Sequence, residues 1–185
     1  MYRIIIILLL SGYFITNLYS QDIFMTHKGT VIFVSEAPLE LIKASSDELF
    51  GAVDLTNNRF AFKISIRSLK GFNSALQQEH FYENYMEVDK FKYSTFEGKI
   101  IEPIKKVSGE KQIVRAKGIL SIHGEEHERI ITVQLDFKDE AILVNAGFDV
   151  LLEDFNIRIP SIVNQKIAEI ITIEVKAELL RKEND

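Results

Sequence analysis

The stretch RFAFKISIR, residues 59–67, sets Phe60, Phe62, Ile64 and Ile66 against Ala61, Lys63, Ser65 and Arg67 in strict two-residue alternation. Successive side chains of a β-strand point to opposite faces, so this pattern is that of a strand with one face buried. The same alternation recurs in TVIFVSE, ELFGAVDLT, STFEGKII, QIVRAKGILSI, ERIITVQLDF, EAILVNAGF and AEIITIEVKAEL. Eight such runs predict an all-β chain built largely of antiparallel neighbours. They can cover their apolar faces as a two-sheet sandwich or by closing into a barrel, and alternation alone does not choose between the two.

The connections carry turn chemistry. Asn57-Asn58 separates two runs at the two-residue length that favours positive φ, and Lys138-Asp139 does similar duty later. Residues 102–112, EPIKKVSGEKQ, read as a long charged loop around Pro103 and Gly109. One segment breaks the alternation: in residues 72–88, FNSALQQEHFYENYMEV, Ser74 and Gln77 stand at capping-box spacing. Phe81, Tyr85 and Val88 follow on one stripe and Glu79, Glu83 and Glu87 on another, which predicts a short amphipathic helix.

Residues 123–127, HGEEH, satisfy H-x-x-E-H, a helical zinc-binding signature of one class of metalloproteases. Both flanks alternate as strands, and a glycine inside a helix costs about 1 kcal/mol relative to alanine. The stretch is better explained as a hairpin. With Gly124-Glu125 as the centre of a type II′ turn, His123 pairs with Glu126, Ile122 with His127 and Leu120 with Arg129, putting the two histidines on opposite faces. His27 and His80 are isolated and supply no ligand spacing. The chain holds no thiol, no nucleophile elbow and no glycine-rich phosphate loop, so its residues do not describe an enzyme.

At 185 residues and 46% hydrophobic, the chain is long enough for one domain with a sizeable core. Arg3 followed by the apolar run Ile4 to Leu10 and a softer tail has the form of a secretory signal peptide, with a cut expected after Ser20. The apolar run is too short for the roughly 20 residues of a membrane span. Residues 1–20 contain Arg3 and no acidic residue, so the mature portion, 21–185, carries 21 basic against 27 acidic residues. Nucleic acid is not an expected partner. Without cysteine, an exported chain must rely on its core, and a soluble product is expected.

Three groups of residues together resemble the YceI-like family of exported bacterial polyisoprenoid-binding proteins, over about Gly29 to Leu180. The first is the helix segment with His80, Phe81, Tyr85, Glu87, Val88 and Phe96; the second is the hairpin with Gly118, Leu120, Ile122 and Gly124. The third is Asp154, Phe155, Asn156 and Ile157 before the last strand. Gln78 stands where the family has an aspartate, Lys92 or Tyr93 where it has a proline, and Asn156 where it has a loop glycine. Asparagine also tolerates positive φ.

The resemblance implies an eight-stranded antiparallel, lipocalin-like barrel with one short helix covering an open end, and an interior that takes an isoprenoid chain. Barrels of eight strands are wide enough to be filled by side chains or to hold one small ligand. Small residues expected to face inward, Gly51, Gly98, Ala116, Gly118 and Ala146, leave room for such a ligand or mark kinks in the wall. A polyprenoid or quinone tail is then expected against Phe33, Phe62, Phe96, Val114, Ala116, Gly118, Leu120, Val144 and Phe148. Phe72, Phe81 and Tyr85 close one end, with His80 nearby. The expected role is binding or carriage of an apolar lipid in the periplasm or outside the cell, with no cofactor or metal. Transient membrane contact and a homodimer are both compatible with it. Two other readings are a packed barrel acting through its acidic surface, and an enzyme using His80 or His127 as a base.

Overall fold

In the computed structural model, residues 22–182 are described; the segment expected to be a signal peptide lies outside them. The strands are β1 Ile23–Glu36, β2 Leu41–Asp54, β3 Arg59–Ser65, β4 Tyr93–Ile100, β5 Lys111–Ile122, β6 Glu125–Phe137, β7 Ala141–Leu151 and β8 Ile170–Arg181. They close in chain order into one barrel, each antiparallel to both neighbours. The choice that alternation left open is thus settled as a barrel.

Inward rows follow from the alternation. Val114, Ala116, Gly118 and Leu120 of β5 are buried between exposed Arg115, Lys117 and Ile119. In β1 and β2 the inward parity changes midway, from Phe24 and Thr26 to Val31 and Phe33, and from Ile42, Ala44 and Ser46 to Leu49 and Val53. Register shifts between Thr26 and Val31 absorb the change. A bulge adds one unpaired residue to a strand, so it flips every later side chain to the other face.

The helix α1, Ala75–His80, begins at Ser74, whose side chain accepts from the Gln77 amide at 3.1 Å. The return bond of the expected capping box goes one residue earlier, from the Asn73 amide to Gln77 Oε1. From Phe81 to Tyr85 the helix widens into a π turn, and Glu87 stops it with φ of 41°. Gln78 donates to the Tyr82 hydroxyl, which itself donates to the Leu69 carbonyl at 2.6 Å. That gives Gln78 a positioning role where the resemblance expects an aspartate.

Two expected turns differ in detail. The connection at Asn57-Asn58 runs over four residues, because the Asp54 carboxylate accepts from the backbone of Thr56 and Asn57 and from the Asn57 amide side chain. The hairpin at HGEEH is a hairpin, but its centre is His123-Gly124, with φ of 51° and 81°, so both residues are in the left-handed region of a type I′ turn. Pairing is accordingly Ile122 with Glu125, Leu120 with His127 and Gly118 with Arg129. The partners move by two residues from those expected, which keeps each row on its face. His123 and His127 are not separated by the sheet: His123 Nδ1 lies 3.0 Å from the Phe155 carbonyl and His127 Nε2 lies 2.7 Å from that of Asp154. Among the described residues no group of three potential ligands could hold a metal ion.

Candidate ligand-binding cavity

Chain order places the start of β1, the end of β8 and the β2–β3, β4–β5 and β6–β7 connections at one end of the barrel. That end is filled: Phe24, Phe137 and Leu179 are fully buried, with Ile142 and Leu135 beside them. Lys106 and Arg181 stand over the Phe24 ring at 4.9 and 5.3 Å, and both pair with Asp22. The other end gathers the β1–β2 turn, α1, the β5–β6 turn and the long β7–β8 connection.

Between them lies a cavity of about 450 Å³, within the roughly 300–1,000 Å³ usual for small-molecule sites. Its wall is almost wholly hydrocarbon and aromatic. Mid-barrel inward residues such as Phe62, Phe96, Phe148, Ile173 and Val175 are only half-buried, because they face this space rather than packed neighbours. The interior is therefore not filled by side chains.

Of the residues expected to meet a ligand, Phe33, Phe62, Phe72, His80, Phe81, Tyr85, Phe96, Val114, Ala116, Leu120, Val144 and Phe148 line the cavity. Gly118 does not. A Cβ at Gly118 would lie 2.2 Å from the Glu97 carbonyl oxygen, and one at its cross-strand partner Gly98 would lie 2.1 Å from that of Lys117. These two glycines let β4 and β5 approach closely, and of the two roles expected for small inward residues they have the one in the wall. Gly51 is covered by the Phe62 ring, whose nearest atom would lie 2.0 Å from a Cβ there. Ala116 and Ala146 are the small residues that do face the cavity.

The lid is aromatic. Phe33 of β1 packs against Phe72 at 5.6 Å and stacks on Phe81 at 5.3 Å, while Phe72 and Phe81 stand 4.9 Å apart. Edge and offset contacts of this kind add to the apolar area they bury. Burial pushes the Tyr85 phenol up, so it is a neutral hydroxyl at the cavity wall at physiological pH.

Polar groups gather toward the mouth, where Glu40, Ser74, Gln77, His80 and Lys166 meet the apolar Leu76, Val163 and Ile167, with Ser35, Lys63, Ser94 and Thr95 near the mouth-side ends of β1, β3 and β4. Glu40 joins the lid to the β1–β2 turn by accepting from Asn73 Nδ2 at 3.1 Å and Gln77 Nε2 at 3.0 Å. Those two amides, in that order, hold its carboxyl below the usual range; burial opposes them and Lys166 adds a smaller push in their direction. The β7–β8 connection is tied down by Leu39 N donating to the Gln165 carbonyl and Ala168 N donating to Ser35 Oγ. Its residues Val163, Lys166 and Ile167 were not expected at the site; the apolar Val163 and Ile167 in a polar loop were the one available signal, and nothing marked Lys166.

Where β6 and β7 diverge beyond the pair Val133 and Ala146, the Leu152–Phe155 turn fills the wall. His123, His127 and Arg129 fix it, the last through Asp154, and Asn156 follows at φ of 55°. The histidines of HGEEH thus hold the wall.

The family profile described as the YceI-like domain matches residues 22–179. No curated protein matches the sequence at a significant level. Among solved structures, a polyisoprenoid binding domain from Saccharophagus degradans implicated in plant cell wall breakdown is similar, with a TM-score of 0.75 at 14% identity. The match covers 88% of this chain and 100% of that one. BcnA of Burkholderia cenocepacia is similar with a TM-score of 0.67 at 13% identity, over 83% of this chain and 96% of that one. The YCEI protein of Campylobacter jejuni follows at 0.56 and 17%, over 71% and 78%. At these identities the likeness to the solved structures is one of fold.

Proposed function

We propose, for a chain that belongs to the YceI-like domain family, that its role is to bind an apolar lipid inside the barrel, with a polyisoprenoid or the tail of an isoprenoid quinone as the ligand. The observation that carries this reading is the cavity itself, an apolar space closed at one end by Phe24 and Phe137 and polar only toward its mouth. A ligand group that needs hydrogen bonds would lose them in the interior at a cost of about 1–3 kcal/mol each. A hydrocarbon tail loses nothing there, and each CH₂ it buries contributes about 0.8 kcal/mol. The tail therefore lies inward among Phe62, Phe96, Val114, Leu120, Val144 and Phe148, and the head group stays among Gln77, His80 and Lys166. Export to the periplasm or beyond fits the apolar leader Ile4 to Leu10. Sequestration or carriage needs no bond to be made or broken, and we assign none.

The similarity to a domain described as polyisoprenoid-binding supports this ligand class over other apolar molecules. The test is thermal unfolding of the mature protein with geranylgeraniol, a short-chain quinone and a saturated fatty alcohol. A ligand present at about 100 times its Kd stabilises by about 2.7 kcal/mol, which raises the melting temperature by several degrees. Stabilisation by the isoprenoids, absent in an Ala116→Phe variant with a narrowed cavity, is the expected result. No shift with any of the three would overturn the proposal.

A further inference from the structure

Among the described residues, the most exposed large apolar side chain is placed where a folded protein has no structural use for it. It is Ile162 of the β7–β8 connection, 90% exposed. Leu39 at 66%, Leu76 at 59%, Leu41 at 57% and Ile170 at 54% stand on the elements around it. These five belong to one arc of the mouth. Strands β8, β1 and β2 are consecutive neighbours in the barrel. The β7–β8 connection is bonded to the β1–β2 turn through Leu39 and Gln165, and α1 is bonded to the same turn through Gln77 and Glu40. The opposite arc carries polar groups in two hydrogen-bonded sets, Glu87 with Lys90 and His123, and Asn156 with Glu125.

We infer that this arc is the surface by which the protein docks on a lipid bilayer to exchange its ligand; this inference rests on the proposed lipid-binding reading. The arc adjoins the cavity: Leu76, Val163 and Ile167 line its mouth, and the exposed Ile162 and Leu39 are chain neighbours of the lining residues Val163 and Glu40. A tail of many CH₂ groups leaving the cavity through water would re-expose area worth about 0.8 kcal/mol for each. A mouth pressed to the hydrocarbon of a bilayer avoids that exposure. Five side chains are few against the roughly 20–30 residues a side of a stable protein interface. That number suits reversible insertion rather than a dimer. Lys166, within the arc, makes no ion pair among the described residues, but Glu36 and Glu169 stand exposed on the same arc, so the contact rests on the apolar side chains rather than on charge.

The test is transfer of a fluorescent geranylgeraniol analogue from the loaded protein to vesicles of phosphatidylethanolamine and phosphatidylglycerol at 7:3, as vesicle concentration is raised. The expected rate rises in proportion to vesicle concentration and falls about tenfold or more in an Ile162→Ser/Leu39→Ser variant, a change of about 1.4 kcal/mol or more. Ile113→Ser/Ile130→Ser, also exposed but on the outer face of β5 and β6, leaves it unchanged. A rate independent of vesicle concentration, or equal in wild type and the mouth variant, overturns the inference while leaving the cavity's occupancy intact. So does a wild-type dimer in solution that the mouth variant dissociates, because the arc would then belong to a second copy. Failure of the protein to load the probe at all speaks against the lipid-binding reading instead.

Discussion

Phe81 of the lid helix stacks on Phe33 of the barrel wall, with ring centroids 5.3 Å apart and planes 22° apart. Together with Phe72 the pair fastens a short helix, which alone would be marginal in water, across the mouth. Phe81→Ala removes the centre of that cluster. It should lower stability by about 2 kcal/mol, less than a fully buried phenylalanine would because Phe81 is half-buried. Calorimetry should show a melting temperature about 4–8 °C lower. Ligand release should accelerate at the same time; an unchanged release rate would mean that the ligand leaves by another route.

Ala116 and Gly118 are two residues apart on one inward row, and their substitutions should behave differently. Ala116 faces the cavity, so Ala116→Phe should fill it and abolish lipid binding. Stability without ligand should change by less than about 1 kcal/mol, since no packed atom has to move. Gly118→Ala adds a carbon 2.2 Å from the Glu97 carbonyl oxygen and should separate β4 from β5, at a cost of about 3 kcal/mol. Chemical denaturation of both variants, with and without geranylgeraniol, separates the two effects.

Gly124 is the second residue of the β5–β6 turn at φ of 81°, and the Phe91 ring would lie 2.5 Å from a Cβ there. Gly124→Ala should therefore destabilise by about 1–3 kcal/mol, through strain at positive φ and displacement of Phe91. The zinc-protease reading of HGEEH predicts something else: a melting temperature that rises with zinc and falls with a chelator. Neither shift is expected.

Acid should loosen the lid. The Glu40 carboxyl is held below its ordinary value by the Asn73 and Gln77 amides; that of Asp54, held down by Asn57, lies at the closed end and bears on stability alone. A depressed carboxylate pKa stabilises the fold at every pH above the ordinary value, near 4.5 for glutamate and 3.8 for aspartate. The contribution is lost as pH falls through the lowered folded value. Ligand release followed from pH 7 downward should stay constant to about pH 5 and then accelerate. Glu40→Gln should remove part of that acid limb and speed release at neutral pH. A release rate that rises first between pH 6 and 7 would point to a histidine instead.

Much of the barrel could be read from β3 to β8 because their inward rows keep one parity, as Val114, Ala116, Gly118 and Leu120 do. The first halves of β1 and β2 were not legible. A bulge near Thr26 and Gly29 moves the inward row from even to odd numbers, so IFMTHKG does not alternate as a single face. The helix start was marked by Ser74 and Gln77, but nothing local marks the π turn at Phe81–Tyr85, which serves the packing of Phe81 and Met86. The hairpin at HGEEH was legible as a hairpin. Its turn type was not, because Gly124 suits the second position of a type I′ turn as well as the first of a type II′ turn. Lining residues on strands followed from their faces. Glycine faces did not tell a cavity from a close strand approach, which depends on the backbone of β4 opposite Gly118. The β7–β8 connection was illegible because loops carry no period, and its ties use its own main chain, the Gln165 carbonyl accepting from Leu39 N and Ala168 N donating to Ser35 Oγ.

The central claim is that the cavity holds a lipid. Native mass spectrometry of the protein purified from its own cells, followed by solvent extraction and mass analysis of what is released, tests it most directly. A stoichiometric adduct that releases a compound with five-carbon isoprenoid increments is the predicted result. A bare protein mass that stays bare after incubation with prenols and quinones would contradict the account.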